Sequence, residues 1–347
     1  MTPTRFIATI SDMSYINYAL RNRKVLVTGA TGFVGGRLAL RLATEEEAIV
    51  TGTGRSLEKA AYLPAAGVNM QPADMLDTAR LAELVAGQDV VFHVAAWLVY
   101  NKGAEAMAYK VNVEATEQLL RLAAKAGVRR FVYVSSMAAY GLPKTTTVTE
   151  DTPLDITQAD VYGRTKALAD NRVRELGPEL GIEGAVIRPG MIYGPGSVSW
   201  SVQMLRLVQN GTPCIVGDGS GHAYPSFIDN MVDGLLLTAV SPHAPNHAFQ
   251  LIDSHVSFKT FFGYYGRMCG KTPRSMPLWG AKIVAWLRDT FNLRVPLTRE
   301  RVRFMTLHTL YPDTKARTLL GYTPRIGLDE GMAQAETWLR SEGYLAK

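Results

Sequence analysis

Tyr162 and Lys166 stand four residues apart in Asp160-Val161-Tyr162-Gly163-Arg164-Thr165-Lys166-Ala167. On a helix, positions i and i+4 share a face, so a phenol and an ammonium at this spacing can serve one site. Upstream, Arg130-Phe131-Val132-Tyr133-Val134-Ser135-Ser136 reads as a buried strand ending in two hydroxyls. A Ser, a Tyr and a Lys together suit proton transfer to or from a carbinol oxygen while a nicotinamide moves the hydride. Free tyrosine has a pKa of about 10. A neighbouring cation favours the phenolate and brings proton exchange toward neutral pH. The same pair also arises by chance on helices, as a surface aromatic beside a solvated Lys, so its weight depends on what accompanies it.

What accompanies it is a glycine turn near the start of the chain. Lys24-Val25-Leu26-Val27-Thr28-Gly29-Ala30-Thr31-Gly32-Phe33-Val34-Gly35-Gly36 is an apolar run ending in glycines at three-residue spacing, and the amphipathic stretch 37–43 follows at once. That reads as strand, tight turn and helix. Glycine permits positive φ and close backbone approach, so a pyrophosphate can sit against the amides that open the helix. The spacing is Gly-x-x-Gly-x-x-Gly rather than the general Gly-x-Gly-x-x-Gly. No Lys-Ser or Lys-Thr follows, which argues against a Walker-type triphosphate loop.

These residues resemble the extended short-chain dehydrogenase/reductase superfamily, of the NAD-dependent epimerase/dehydratase kind. The resemblance is carried by Thr28 to Gly35, Asp74, His93-Val94-Ala95-Ala96, Val134-Ser135-Ser136 through Tyr140-Gly141, Tyr162 to Lys166, and Arg188-Pro189-Gly190 with Tyr193-Gly194-Pro195-Gly196. They occur in family order over roughly residues 24–340. The resemblance implies that Ser136, four residues before Tyr140, hydrogen-bonds the substrate oxygen. It makes Tyr162 the acid/base and Lys166 the group that lowers its pKa and holds the nicotinamide ribose. The implied cofactor residues are Gly29, Thr31, Gly32, Phe33, Val34, Gly35, Arg55, Asp74, Met75, Ala95, Ala96 and Pro189, with Tyr162 and Lys166. No metal is implied.

NAD-specific sites usually place a carboxylate after the second strand, whereas an Arg accommodates the 2′-phosphate of NADP. Here that strand ends in Thr51-Gly52-Thr53-Gly54-Arg55-Ser56, without a carboxylate. NADP is therefore preferred over NAD, with Arg55 on the phosphate, helped by Ser56 or Lys59. Asp74 matches the family position at the adenine and is also suited to capping the helix after Asp77. His93 is read as structural. Asn112 is either a hydrogen-bonding support for the site or a helix-packing amide, and Arg188 either edges the nicotinamide pocket or is a buried structural cation.

Sugar-nucleotide epimerases and dehydratases typically follow a Gly-Asp-Gly segment with Arg-Asp-Phe and then Val-Asp-Asp. This chain has Gly217-Asp218-Gly219-Ser220-Gly221-His222, with no Arg at the expected place, and then Phe227-Ile228-Asp229-Asn230. Asp-Asn there resembles the 3β-hydroxysteroid dehydrogenase and dihydroflavonol reductase-like branch, as does Pro312-Asp313-Thr314-Lys315-Ala316 through Pro324. Asp229-Asn230 could also simply cap the helix ending near Ala239. The lobe offers Trp97, Leu98, Met191, Met204, Phe258, Phe261, Phe262, Met268, Met276, Leu278, Trp279 and Trp286 for an apolar pocket, although most hydrophobic residues are core. In 278–291, Trp279, Ile283, Trp286 and Phe291 fall near one helical face. A core-packed helix is the preferred reading; a lid, a dimer surface or an interfacial helix touching lipid are the others.

The elements that must position these groups alternate. Strands are expected at 25–28, 49–53, 68–72, 90–94, 131–135 and 185–188. Helices are expected at 37–43, 78–86, 105–126 and 160–180, which together predict a doubly wound, Rossmann-type α/β fold with a parallel sheet. After Gly196 the pattern loosens, and periodicity returns only at 328–338. The chain divides into an N-terminal extension (1–22), a cofactor-binding domain with the Ser/Tyr/Lys set (23–196) and a smaller substrate lobe (197–347) from which some segments return to the core.

With 347 residues, 47% hydrophobic, a large core is available. The formal net charge of +6 is mild, its basic residues are scattered, and phosphate-bearing ligands account for it without nucleic acid. Cys214 and Cys269 lack metal or disulfide spacing and read as free buried thiols in a reducing compartment. No apolar run is long enough to span a bilayer, residues 1–22 are too weak for a secretory signal, and a cytoplasmic location follows. The chain thus reads as an NADP(H)-preferring oxidoreductase on a lipophilic alcohol or ketone, steroid-like or β-keto-acyl. The rivals are an epimerase or dehydratase with retained NAD, and a non-catalytic NADP-sensing module. A homodimer is common in the superfamily.

Overall fold

The computed structural model describes residues 19–98, 103–291, 293 and 297–346. Its centre is one seven-stranded sheet: β1 (Lys24–Thr28), β2 (Ile49–Gly54), β3 (Asn69–Pro72), β4 (Val90–His93), β5 (Arg130–Val134), β6 (Glu183–Pro189) and β7 (Ala248–Leu251). The spatial order is β7-β6-β5-β4-β1-β2-β3, and every neighbouring pair is parallel. The fold is the expected Rossmann-type α/β arrangement. All residues of β4 and β5 are buried, because helices cover both faces of a parallel sheet.

Alternation along β1 shows how the two layers divide. Val25 and Val27 pack on one face with Leu38 and Leu42; Leu26 packs on the other with Val91, Phe131, Leu119 and Val173. The flanking helices include α1 (Phe33–Thr44), α2 (Thr78–Val85), α3 (Glu105–Tyr109 and Ala115–Lys125, joined by a π turn at Lys110–Glu114) and α4 (Val161–Leu180), with the helix Ile228–Val240 packed beside α1 on the sheet. Asp77 caps α2 by accepting from the Arg80 amide at 3.0 Å, and Asp160 caps α4 by accepting from the Gly163 amide at 2.8 Å. The cap expected of Asp74 therefore belongs to Asp77.

Strand order reverses between β1 and β4, and in open α/β sheets ligands bind in the crevice at that reversal. Both strands deliver motif residues there: Thr28 ends β1 and His93 ends β4.

The rest of the chain holds more order than its sequence suggests. β7, only four residues of Ala-Phe-Gln-Leu, returns to the sheet beside β6. Helices Gln203–Gln209, Phe258–Cys269 and Arg299–Phe304 were not marked by periodicity. Leu278–Phe291 is helical, but it is not core-packed: only Ala281 and Ala285 are buried. Residues 1–18 of the expected N-terminal extension lie outside the described residues. Of residues 19–22 only Leu20 is buried, in the core, and the Asn22 amide donates to the Glu47 carbonyl at 3.0 Å. Cys214 is buried and Cys269 half-buried, both free.

Candidate active site

The turn after β1 is fixed by backbone sterics. Gly29 sits at φ +71°, and a Cβ there would lie 2.9 Å from the Ala95 backbone. A Cβ on Gly35 would lie 2.3 Å from the Gly29 carbonyl oxygen, so α1 starts in direct contact with the turn. A Cβ on Gly32 meets only the Gly29 oxygen at 3.2 Å and otherwise points into open space. This is a cradle that a side chain would fill, against the free amides of a twelve-residue helix, and it fits a dinucleotide pyrophosphate.

The cradle opens into a cleft of about 1800 Å³. Single small-molecule pockets run to about 1,000 Å³, so there is room for a dinucleotide and a substrate together. All the catalytic and cofactor residues expected from sequence line it: Gly29, Thr31, Gly32, Phe33, Val34, Gly35, Arg55, Asp74, Met75, Ala95, Ala96, Ser136, Tyr162, Lys166 and Pro189.

At one end, Thr31 lies against Gly54, where a Cβ would come within 2.3 Å of its hydroxyl. Arg55 follows, its guanidinium carbon 5.3 Å from the centre of the Trp97 ring. Lys59 also faces the cleft, whereas Ser56 does not line it. Asp74 accepts from the Leu76 amide at 2.9 Å, which holds its carboxylate at the cleft wall.

Across the sheet, α4 carries Tyr162 and Lys166 one turn apart beside Ser136, which ends the segment after β5. The Ser136 hydroxyl accepts from the Ala138 amide at 3.1 Å, capping a short 3₁₀ turn. Lys166 is buried; its Nζ donates to the Val134 carbonyl at 2.5 Å and sits 4.5 Å from the centre of the Tyr133 ring. Burial pulls its pKa from the ordinary lysine value down to about 7, against the opposing charge of Asp170. A positive charge poised there can stabilise a phenolate one turn away.

Behind these groups lies a buried polar chain. The Thr116 hydroxyl donates to the Asn112 carbonyl at 2.8 Å and lies 2.8 Å from His93 Nε2. His93 Nδ1 lies 2.8 Å from the Thr28 hydroxyl, which accepts from the amides of Val94 and Ala95 at 3.2 and 3.3 Å. Since the Thr116 proton is committed to Asn112, Nε2–H must donate to Thr116, while Thr28, accepting from two amides, gives its own proton to Nδ1; the network assigns His93 as the neutral Nε2–H tautomer. Burial, then the charge of Lys166, drives its pKa down to about 3. His93 is structural: it fixes the backbone that passes the cofactor cradle.

Asn112, at the π turn, accepts from the Trp97 amide at 2.6 Å and donates to the Trp97 carbonyl and the Thr165 hydroxyl. It supports the site by tying the cleft loop to α4. Arg188 is a structural cation away from the cleft surface, paired bidentately with Asp170 at 2.8 Å and bonded to the Tyr140 hydroxyl.

The substrate-side wall was only partly visible in sequence. Trp97, Leu98, Met191 and Met204 line it as expected. Phe258, Phe261, Phe262 and Met268 belong to the core, and Met276, Leu278, Trp279 and Trp286 do not line the cleft either. Met107, Ile192, Val198, Trp200 and Phe304 take their places, with Lys144, Arg301 and Arg303 beside them. None of these carries a pattern of its own; chain topology alone brings them to the cleft. Asp229 and Asn230 do not cap their helix. Asp229 holds Arg37 with contacts of 2.5 and 2.9 Å at the cofactor side, and Asn230 accepts from the amides of Arg325 and Ile326.

Comparison with known proteins agrees with this geometry. Residues 25–251 match the model of the NAD dependent epimerase/dehydratase family. A 3-beta-hydroxysteroid dehydrogenase of Mycolicibacterium neoaurum is 28% identical over 90% of this chain and 90% of its own. A UDP-glucose 4-epimerase of Vibrio cholerae is also 28% identical, over 92% and 96%. Among solved structures, MoeE5 in complex with UDP-glucose and NAD superposes with a TM-score of 0.72 at 25% identity, covering 92% of this chain and 99% of that one.

Proposed function

The chain belongs to the NAD dependent epimerase/dehydratase family, and from that premise we propose that it is an NADP(H)-preferring oxidoreductase acting on a lipophilic ketone or secondary alcohol. The observation that carries this reading is the make-up of the substrate-side wall. Leu98, Met107, Val198, Trp200, Met204 and Phe304 face the same cleft as Ser136 and Tyr162. The segment after Gly217-Asp218-Gly219 meanwhile lacks the Arg expected of a sugar-nucleotide enzyme. A Cβ on Gly221 would sit 2.2 Å from the Met305 carbonyl oxygen, and His222 turns to the Thr309 carbonyl.

A nicotinamide cofactor held at the glycine cradle would supply or accept the hydride. Of the chain's own groups, Ser136 orients the substrate oxygen through its hydroxyl. Tyr162 gives a proton to that oxygen in reduction and takes it back in oxidation. Lys166 supports the phenolate electrostatically from its buried position. Arg55 and Lys59, at the far end of the cleft, supply the positive charge that a 2′-phosphate requires. Neither MoeE5 nor any other neighbour with NAD decides between the two dinucleotides for this chain. The carboxylate-free end of β2 favours NADP.

A second reading, an epimerase or dehydratase that retains NAD, is favoured by one specific feature. Lys144, Arg301 and Arg303 line the cleft and could meet a diphosphate. Following nicotinamide absorbance with purified protein separates the two. Net NADPH consumption with a steroid, β-keto-acyl or aromatic ketone supports the first. Conversion of a UDP-sugar at constant absorbance supports the second and overturns the first.

A further inference from the structure

The helix Leu278–Phe291 is amphipathic the wrong way round for a globular domain. Its packed face holds Ala281 and Ala285, buried, with Val284 and Leu287 half-buried, while Trp279, Ile283, Trp286 and Phe291 face solvent. Trp279 is 70% exposed, Ile283 49% and Trp286 49%, and these three fall on one stripe, three or four residues apart. Phe291 and Leu293 extend the apolar surface at 63% and 46%. Scattered exposed hydrophobics need no explanation, but a contiguous set with two tryptophans does.

The sequence segment that holds this stripe is equally uneven in charge, although Arg301 and Arg303 within it line the cleft. Residues 271–303 contain eight Lys or Arg and two Asp or Glu, in a chain whose totals are 37 and 31. The whole net charge of +6 therefore resides in this one segment, and the remainder of the chain is balanced. The excess is not scattered after all. Of the two acids, Asp289 is paired with Arg288 at 2.9 Å and lies 3.5 Å from Arg299. Lys282 flanks the stripe on the helix itself and is in no ion pair among the described residues. Lys271 and Arg274, exposed, precede the helix.

We infer that this helix is a peripheral membrane-docking surface, which lies flat on an anionic bilayer. Tryptophan combines an apolar ring with a polar N–H and favours the headgroup boundary, and basic residues around an apolar helical face add attraction to anionic lipid. A second copy of the chain fits less well: a two-fold contact through this face would bring two segments of the same net +6 charge together. Nucleic acid would meet the charge but leave Ile283, Phe291 and Leu293 unpartnered. The neighbouring helix Arg299–Phe304 carries Arg301 and Phe304 to the cleft wall. Docking would thus set the cleft beside the lipid phase, a consequence that rests on the lipophilic-substrate reading, although docking itself does not.

The test uses the full chain without cofactor or substrate, so its outcome is independent of the catalytic reading. Vesicles of equal parts phosphatidylglycerol and phosphatidylcholine are compared with pure phosphatidylcholine by co-sedimentation. Binding to the anionic vesicles is expected to be stronger by at least about tenfold, and the double variant Trp279→Ser/Trp286→Ser is expected to lose at least about tenfold. Brominated phosphatidylcholine in the anionic vesicles should quench the wild-type tryptophan emission, a readout that needs no variant. Absence of binding, absence of quenching, or undiminished binding by a folded double variant would overturn the proposal. So would a concentration-dependent dimer that forms through this helix and excludes vesicles, or retention on nucleic acid in preference to anionic lipid.

Discussion

The cofactor cradle and the helix Leu278–Phe291 are opposites in what fixes them. In the cradle, positions are dictated by backbone contact: Gly35 touches the Gly29 carbonyl, Gly29 touches Ala95, and Thr31 occupies the space beside Gly54. Few residue types satisfy such contacts, so the sequence there is constrained and readable. The helix buries only Ala281 and Ala285 fully, with Val284 and Leu287 half-buried beside them, and its outer face is free to carry anything that folding tolerates. That it carries Trp279, Ile283 and Trp286 is a statement about function rather than packing. Steric necessity writes one region; an external partner writes the other.

That contrast can be broken first at the cradle. Gly35→Val places branched carbons within reach of the Gly29 backbone, where a Cβ already stands at 2.3 Å. A loss of more than about 3 kcal/mol of stability is expected, seen as a collapse of the urea midpoint. Gly32→Val, whose side chain would enter the cradle instead of the fold, should unfold near the wild-type midpoint yet lose cofactor binding in a fluorescence titration. Equal destabilisation by both variants would mean that the cradle is merely a packing motif.

Tyr162→Phe comes next. It should retain cofactor affinity and lose about 10²- to 10⁴-fold in turnover, the range of a positioned acid/base. Near-normal turnover would remove Tyr162 from the proposed chemistry. Lys166 gives a subtler signal through pH. Burial holds it at about 7 in the folded chain, against about 10.4 for a free lysine. Between those values the unfolded chain binds the additional proton, so this group makes stability rise with pH across the window. Lys166→Met should flatten that slope in urea unfolding measured at about pH 7 and about pH 9.5; an unchanged slope would contradict the buried, depressed lysine. The smallest effect expected is at Arg55. Arg55→Ala should weaken NADPH binding by about 10- to 100-fold while sparing NADH, the worth of one charge-assisted contact.

How much was legible follows the same divide. The glycine turn, the Tyr-x-x-x-Lys pair and the six strands before Gly196 were readable because periodicity and close contact leave marks on residue type. β7 left none, being four residues whose pairing with β6 is a tertiary fact. Nor could the sequence separate Met204, which lines the cleft, from Phe261, which fills the core. Both are simply apolar, and only the path of the chain assigns them. The preference for a core-packed helix at 278–291 failed because periodicity shows that one face is apolar, not which way it points. The cap assigned to Asp74 went to Asp77 through a register difference of three residues that composition cannot resolve.

The central claim is that a substrate carbonyl is reduced at this cleft, with net transfer of hydride. Its most direct test is isotopic: purified protein, NADPH carrying deuterium at the transferable C4 position, and a lipophilic ketone identified by absorbance, with the alcohol product examined by mass spectrometry. The account predicts one deuterium at the carbinol carbon, at a rate that Tyr162→Phe nearly abolishes. A product without deuterium, or a UDP-sugar isomerised with no net change in the nicotinamide, would contradict it.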